Sequence, residues 1–388
     1  MIKIFLIIMV IFCIMSGFIF CIDLYFYIID RYCRFHIGKW RDNNQWLQSI
    51  EKVCVRWSKR TPTVKMTDNK KLIAIDIIRG KYRNNNIQSW QIAGIVLGLQ
   101  QSNNEISKKA IEKVIKNLIG EDGNWRIKPT NVDCGLLSYA VLKVVKDYKK
   151  IKPAMDYSID IIKKNMCIDG MIAYTANKNE DERYIDTLGF ICPFLQLYSN
   201  IYNEEEYSKI SINQIEQYNK YGLLNNTYIP NHAYNPKNKL PLGVYGWGRG
   251  VAWYVIGLID TYIEMKDSYE KLKLKENIRK VADSYIHYQR EDGGFGSIIQ
   301  NSRTYDSSAT AVLAYFYSRC YDIFQEPYYL EVSNKCLQKI KSVTRITGKV
   351  DWCQGDTKDI GVHSQTFDIM PFAQGFTLRA ALINLERE

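Results

Sequence analysis

The sequence predicts an all-α protein, an (α/α)6 toroid of six helical hairpins set behind one N-terminal transmembrane helix. Three observations carry this. Residues Ile4 to Ile22 are uncharged and broken only by Ser16 and Gly17. Beyond residue 42, very apolar runs of helical length alternate with runs that are charged on one face. The apolar runs also recur at a regular spacing. No alternating β-branched run is long enough to build a sheet.

The apolar N-terminus comes first. A stretch of that length spans a bilayer core as a helix. A cleaved signal peptide would need a small-x-small site, and none is present; Phe20 before Cys21 does not suit a lipoprotein signal. We therefore expect a retained single-pass anchor over 1–30, a basic juxtamembrane segment over 31–42 and a barrel over 43–388. Lys3 precedes the span, whereas Arg31, Arg34, Lys39 and Arg41 follow it. The positive-inside rule then favours a cytoplasmic barrel.

The periodicity predicts helices over 43–59, 88–102, 107–120, 133–147, 152–166, 186–201, 204–220, 247–264, 270–290, 306–323, 326–343 and 371–386. Trp90–Leu99, Gly135–Val145, Leu188–Leu197, Val251–Tyr262, Ala309–Tyr317 and Phe372–Ile383 are apolar nearly all round, as buried helices are. Lys108–Lys116, Glu205–Lys220 and Tyr269–Tyr288 carry charge on one face and should meet solvent. The apolar class recurs every ~45–65 residues, a period suited to one hairpin with its loops. Six inner and six outer helices in alternation describe the toroid. Gly turns precede several inner helices, as in Glu121–Trp125, Asp169–Met171 and Glu291–Phe295. Each is followed by an acid near a helix start: Asp133, Asp186 and Asp306. Such an acid is ordinarily an N-cap. Helix starts aimed into one barrel mouth would also gather these carboxylates.

Composition narrows the function. With 46% apolar and 24% charged residues the chain can build a large core. The net charge of +11 suits a membrane surface or an acidic substrate. No RNA-recognition motif, zinc finger or basic helix is present, so no nucleic-acid partner is expected. The ten cysteines contain no CxxC pair and mostly lie in apolar runs, a pattern of reduced, core-packed thiols. No metal-ligand set and no cofactor motif is found.

Four segments carry chemistry, and they occur in order. Tyr184–Leu188 runs on to Pro193–Leu195. Trp247–Gly248–Arg249–Gly250–Val251–Ala252–Trp253 begins the fourth apolar helix. Asp306–Ala311 begins the fifth, and Pro371–Phe376 the last. This set resembles the unsaturated glucuronyl and rhamnogalacturonyl hydrolases of the six-hairpin glycosidase superfamily, over about residues 88–386. The first segment is similar to their catalytic-Asp segment and the second to their W-G-R-G-N-G-W signature. The departure is Val251–Ala252 in place of Asn-Gly.

The resemblance implies hydration of the C4–C5 double bond in an unsaturated terminal uronyl residue of an acidic oligosaccharide. Asp186 would be general acid and then base, and Asp133 the second carboxylate. His232 matches the position that hydrogen-bonds near the catalytic Asp. Arg249, with its planar fork, suits the uronate carboxylate. Trp247 and Trp253 would stack on sugar faces, and Trp125 and Trp90 line up with loop and inner-helix aromatics. His363 and Asp368 precede the last helix and could reach the mouth. A nearby Asp133 and burial would raise the Asp186 pKa, while the helix N-terminus would lower it.

Two other readings differ in class. Gln289–Phe295 looks like the Gln–Gly–aromatic repeat of terpenoid-cyclase toroids, but no Asp-x-Asp-Asp motif accompanies it. A non-catalytic saccharide-binding or scaffold protein of polysaccharide assembly would keep the Trp residues and Arg249 without needing Asp186 as an acid.

Overall fold

The computed structural model describes every residue except 63, 66–67, 84–88, 175–180, 226 and 388, and leaves the side chains of 64, 65, 82 and 83 undescribed. The twelve expected helices are all present. They are α2 (Asn43–Lys59), α4 (Ser89–Leu99), α5 (Glu105–Leu118), α6 (Cys134–Val144), α7 (Tyr148–Lys164), α8 (Asp186–Tyr202), α9 (Glu205–Tyr221), α10 (Gly248–Glu264), α11 (Tyr269–Ile286), α12 (Ser307–Phe324), α13 (Pro327–Ser342) and α14 (Pro371–Leu385). Position 88, expected to open the second of these, lies outside the described residues. Two further helices are α1 (Ile2–Arg34), which contains the apolar stretch, and the short α3 (Ile73–Ile78). Strands among the described residues are two residues long and form small ladders between helices.

The six inner helices pack in a closed ring. Each of α4, α6, α8, α10, α12 and α14 touches the next, and α14 returns to α4. The outer helices α2, α5, α7, α9, α11 and α13 each touch the inner helices beside them. Inner helices are buried almost all round; outer helices bury one stripe.

The Gly turns set the hairpin geometry. Gly123, Gly170, Gly293 and Gly348 all have φ between 73° and 84°, a region that costs other residues strain. In each turn the Gly N–H donates to the carbonyl three residues earlier. The turn at Gly348 is a fourth copy that the sequence did not reveal, because no acid-rich stretch accompanies it.

The largest shift of a helix start has a physical reason. The sequence predicts a start at 152. The α7 helix instead begins at Tyr148, where the Asp147 carboxylate caps the Lys150 N–H at 3.1 Å. Pro153 sits inside the helix, and the next free amide, Ala154 N–H, donates to the Gly123 carbonyl at 3.1 Å. The proline therefore seats the neighbouring turn instead of starting the helix.

The toroid interior is layered. At the C-terminal ends of the inner helices, Arg379 forks onto Asp260 at 2.8 and 3.0 Å, and Tyr315 also donates to Asp260. Above it lies an aromatic floor in which Trp253 packs on Phe190 and Phe372, with ring centroids 4.5 and 4.6 Å apart. The helix N-termini form the mouth.

The ring closes where α14 crosses α4 backbone to backbone. A Cβ placed on Gly375 would lie 2.0 Å from the Gly94 carbonyl oxygen, and one on Gly98 would lie 2.3 Å from that of Gly375. Gly375→Ala and Gly98→Ala should therefore each lower stability by roughly 1–3 kcal/mol or more. Gly17→Ala, with nothing within 4 Å, should change nothing. Urea titrations of the full chain in detergent check this; an unshifted midpoint for Gly375→Ala would mean that the closure is looser than described.

Candidate active site

The mouth holds a cavity of about 160 Å³ lined by Trp90, Tyr174, Tyr184, Asp186, Phe190, His232, Trp247, Arg249, Trp253 and the loop Asp356–Asp359. Residues far apart in sequence thus meet at one place. Of the expected site residues, Asp186, His232, Trp247, Arg249 and Trp253 line the cavity, as does Trp90.

Asp186 opens α8 and does not cap it; no side-chain cap is made at that helix start. A short ladder pairs Arg183–Tyr184 with Ala233–Tyr234, and Ile185 N–H donates to the His232 carbonyl at 3.1 Å. This ladder sets Asp186 against His232. Burial pushes the Asp186 carboxyl up to about 7, against the pull of Arg249 and its own amide, and Asp356 adds a like charge. Its Oδ2 is buried without a hydrogen-bond partner among the described residues. A buried polar atom left so calls for an explanation, and a catalytic role is one.

His232 Nε2 lies 3.8 Å from that oxygen. His232 Nδ1 accepts the Gly361 N–H at 3.2 Å, so in the neutral ring Nε2 carries the proton and faces Asp186. Burial, then His363 and Arg249, drives the imidazole down to about 3. The pair is therefore not an ion pair near neutral pH. His363 stacks on both His232 and Trp247, with centroids 5.3 and 5.0 Å away.

Arg249 is buried, and its fork is already engaged. Nη1 donates to the Gln354 carbonyl at 2.6 Å; Nη2 donates to the Gly355 carbonyl at 2.7 Å and to Thr357 Oγ1 at 3.2 Å. Three of its five N–H donors thus shape the loop that carries Asp356. Trp247 joins them, its Nε1 donating to Gln354 Oε1 at 3.1 Å. Arg249 faces the cavity chiefly as a positive charge, not as an open bidentate fork.

Asp133 is buried at the start of α6 and is not among the cavity-lining residues. Burial raises its carboxyl to about 7, opposed by the backbone amides of Ser89 and Trp90, with Asp356 adding a like charge. It sits at the N-terminus of the neighbouring α4. Asp356 adds a like charge to both carboxyls. Tyr174 feels Asp133, Asp186 and Asp356 together, and burial and these charges keep its phenol protonated.

Trp125 does not reach the cavity. It is buried in the hairpin, with Nε1 donating to the Ala154 carbonyl at 2.7 Å and to Ser158 Oγ at 3.1 Å. The expectation that it binds substrate took a turn aromatic for a mouth aromatic. Asp368 pairs with Arg345 at 2.8 Å and belongs to the root of the site loop. Asp306 behaves as the N-cap it resembles, accepting from Ser308 N–H at 2.9 Å. Val251 and Ala252 are fully buried in α10, so the departure from the signature falls in the packed interior and not on the cavity wall. Asp356, Thr357, Lys358, Asp359 and Tyr174 were missed. The only sequence signal of the 356–359 group is a charged run in a long aperiodic connection, and Tyr174 follows the Gly170 turn with none.

The comparisons decide the family. The sequence matches the profile of Glycosyl Hydrolase Family 88 over residues 49–387. The chain belongs to Glycosyl Hydrolase Family 88. It is a glycoside hydrolase, as the ordered motifs implied. No curated protein matches it. Among solved structures, it is similar to a possible member of the GH105 family from Salmonella enterica serovar Paratyphi A, at 15% identity and TM-score 0.75, covering 90% of this chain and 95% of that one. It is also similar to an unsaturated glucuronyl hydrolase specific for heparin, at 15% identity and TM-score 0.66, covering 88% and 97%. A third is an unsaturated glucuronyl hydrolase responsible for glycosaminoglycan degradation from Bacillus sp. GL1, at 17% identity and TM-score 0.63, covering 88% and 95%. These likenesses bear out the (α/α)6 toroid.

The electrostatics of this family member's mouth can be checked without substrate. His232 and His363, pushed down to about 3 and about 4 chiefly by burial, should remain neutral at pH 5.5, with His232 in the Nε2–H form. Nitrogen-15 shifts of the labelled histidines read this directly. Protonation of His232 near pH 6 would show a wetter mouth than the one described.

Proposed function

We propose that this hydrolase adds water across the C4–C5 double bond of an unsaturated terminal uronyl residue, with Asp186 as general acid and then base. The observation that carries the reading is Asp186 itself. Its carboxyl lines the cavity, is raised to about 7, and has one oxygen without a hydrogen-bond partner among the described residues. Such a group holds a proton near neutral pH and can release it to carbon.

The chemistry follows from a vinyl ether. Protonation at C4 leaves positive charge at C5 shared with the ring oxygen. The carboxylate left on Asp186 lies beside this cation and accepts a proton from the incoming water. The C–O bond formed at C5 makes a hemiketal; its opening unmasks the anomeric centre and releases the neighbouring sugar. His232 Nε2–H faces Asp186 from 3.8 Å, beyond hydrogen-bond reach, and keeps its proton throughout. Arg249 and Lys358 supply positive charge for the uronate, Arg249 mainly by holding the Gln354–Thr357 backbone in place. Trp247 and Trp253 offer faces to the sugar. Asp133 acts on Asp186 through the shared neighbour Asp356 and through the start of α4. The alternative, a saccharide-binding scaffold, would keep the aromatic and basic lining but would have no use for a protonated Asp186.

We also read α1 as a membrane span that is retained. It is long and apolar enough to cross a bilayer, and its apolar stretch is not buried in the protein. The basic residues after it favour a cytoplasmic barrel.

Asp186→Asn should reduce turnover by ~10²–10⁴-fold with binding mostly intact. The readout is loss of vinyl-ether absorbance with lyase-digested acidic polysaccharides. If every unsaturated uronide keeps its double bond and Asp186→Asn changes nothing, the scaffold reading replaces this one. The kcat/KM profile from pH 5 to 9 should show an alkaline limb near 7, because activity needs the protonated acid and the proton is lost as pH rises through that value. No acid limb should come from His232, which is already neutral across this range. Arg249→Lys should lower kcat/KM by about tenfold or more, since an ammonium cannot span two carbonyls; wild-type values would remove Arg249 from the site.

A further inference from the structure

The apolar helix is rooted on the rim of the site. Arg34, near the end of α1, donates to both Asp351 carboxylate oxygens at 2.8 and 3.0 Å and to the Phe367 carbonyl at 3.0 Å. These are the two ends of the connection that carries Asp356 and Lys358. About three turns earlier in α1, Asp23 accepts the Leu72 and Ile73 N–H groups at 2.8 and 2.9 Å, at the start of α3. The segment containing α3 also reaches the cavity wall. Asp68 pairs with Lys358 at 2.7 Å and accepts from Ser364 Oγ at 2.5 Å. The base of α1, the Asp68–Lys81 segment and the mouth therefore form one connected edge, and α1 projects from it with no residue buried.

The exposed side chains on this edge are of the kinds that a bilayer surface selects. Leu72, Ile77 and Ile78 face outwards, Ile78 being 85% exposed. Lys70, Lys71, Arg79 and Lys81 flank them and are exposed as well. On α1 and at its C-cap, exposed Tyr25, Tyr32 and Phe35 follow the apolar stretch, where aromatic rings settle at headgroup level. A short apolar patch ringed by Lys and Arg matches a surface of anionic headgroups over acyl chains.

We propose that the Asp68–Lys81 segment is a second membrane contact, which seats Leu72, Ile77 and Ile78 in an anionic bilayer surface and holds the mouth of the toroid against it. This rests on α1 being a retained span. The mouth then opens along the lipid surface, and the opposite end of the toroid, with the α10–α11 connection around Lys266, points away into water.

The test uses the full chain in vesicles of phosphatidylcholine with and without about 30% phosphatidylglycerol. A photo-crosslinking amino acid is placed at position 78 or, as control, at position 266. Lipid adducts are expected from 78 and not from 266. The combined K70E, K71E, R79E and K81E changes should cut the adduct at 78 by roughly tenfold or more in the anionic vesicles. Alkaline carbonate extraction is run on the same samples. If the chain resists extraction but 78 gives no lipid adduct, gives a protein adduct instead, or labels no better than 266, the second contact is overturned and the span stands. If carbonate releases the chain, the span reading itself has failed.

Discussion

The toroid depends on one close approach. Where α14 meets α4, three glycines let two backbones pass at distances that no side chain could share. Six inner helices that failed to meet there would form an open arc. Closed, they bring six N-termini to one end, and chemistry follows from that. Helix N-termini carry partial positive charge and unpaired N–H groups, so they tolerate buried carboxyls that a hydrophobic core would expel. Asp133, Asp186 and Asp306 all sit at such starts.

Two aspartates, Asp260 fully buried and Asp186 half-buried, show how the two ends of the ring divide their work. Asp260, at the C-terminal end, is satisfied by Arg379 and Tyr315. Breaking such a pair would leave a buried charge exposed to a low dielectric, so it holds three inner helices to one another. Asp186, at the mouth, has an oxygen with no hydrogen-bond partner among the described residues and a neutral histidine 3.8 Å away. Burial without compensation is unfavourable for folding, and it is what keeps a carboxyl protonated near neutral pH. The same residue type is thus satisfied at one end and left with a raised pKa at the other, and the difference lies in the donors that each meets.

The architecture was legible because helices advertise themselves. Two classes of run with a hairpin-length period predict alternating inner and outer helices, and all twelve are found. Ends shifted by up to four residues, as at the start of α7 and the end of α11. The site was legible where it lies on those helices: Asp186, Trp247, Arg249 and Trp253 are at helix starts or within the first two turns. Trp125 misled because an aromatic after a Gly turn reads the same whether it faces the mouth or the hairpin core. Arg249 was placed correctly, but its partners were not foreseen, because backbone carbonyls of a remote loop leave no mark in sequence. Asp356 was invisible for the same reason, in a connection without periodicity.

That connection, between α13 and α14, is where the pieces join. Apart from one two-residue ladder it has little regular structure, so its shape comes from outside. Arg249 holds Gln354 and Gly355 from α10, Asp68 holds Lys358 and Ser364 from the segment before α3, and Arg34 and Arg345 converge on Asp351. A loop positioned by three remote parts of the chain is ordered only once the ring has closed and α1 has docked. The like charge that Asp356 presents to Asp133 and Asp186 is therefore set by contacts that reach from the inner ring to the base of the apolar helix. The acidity of the mouth and the seating of α1 are properties of one network.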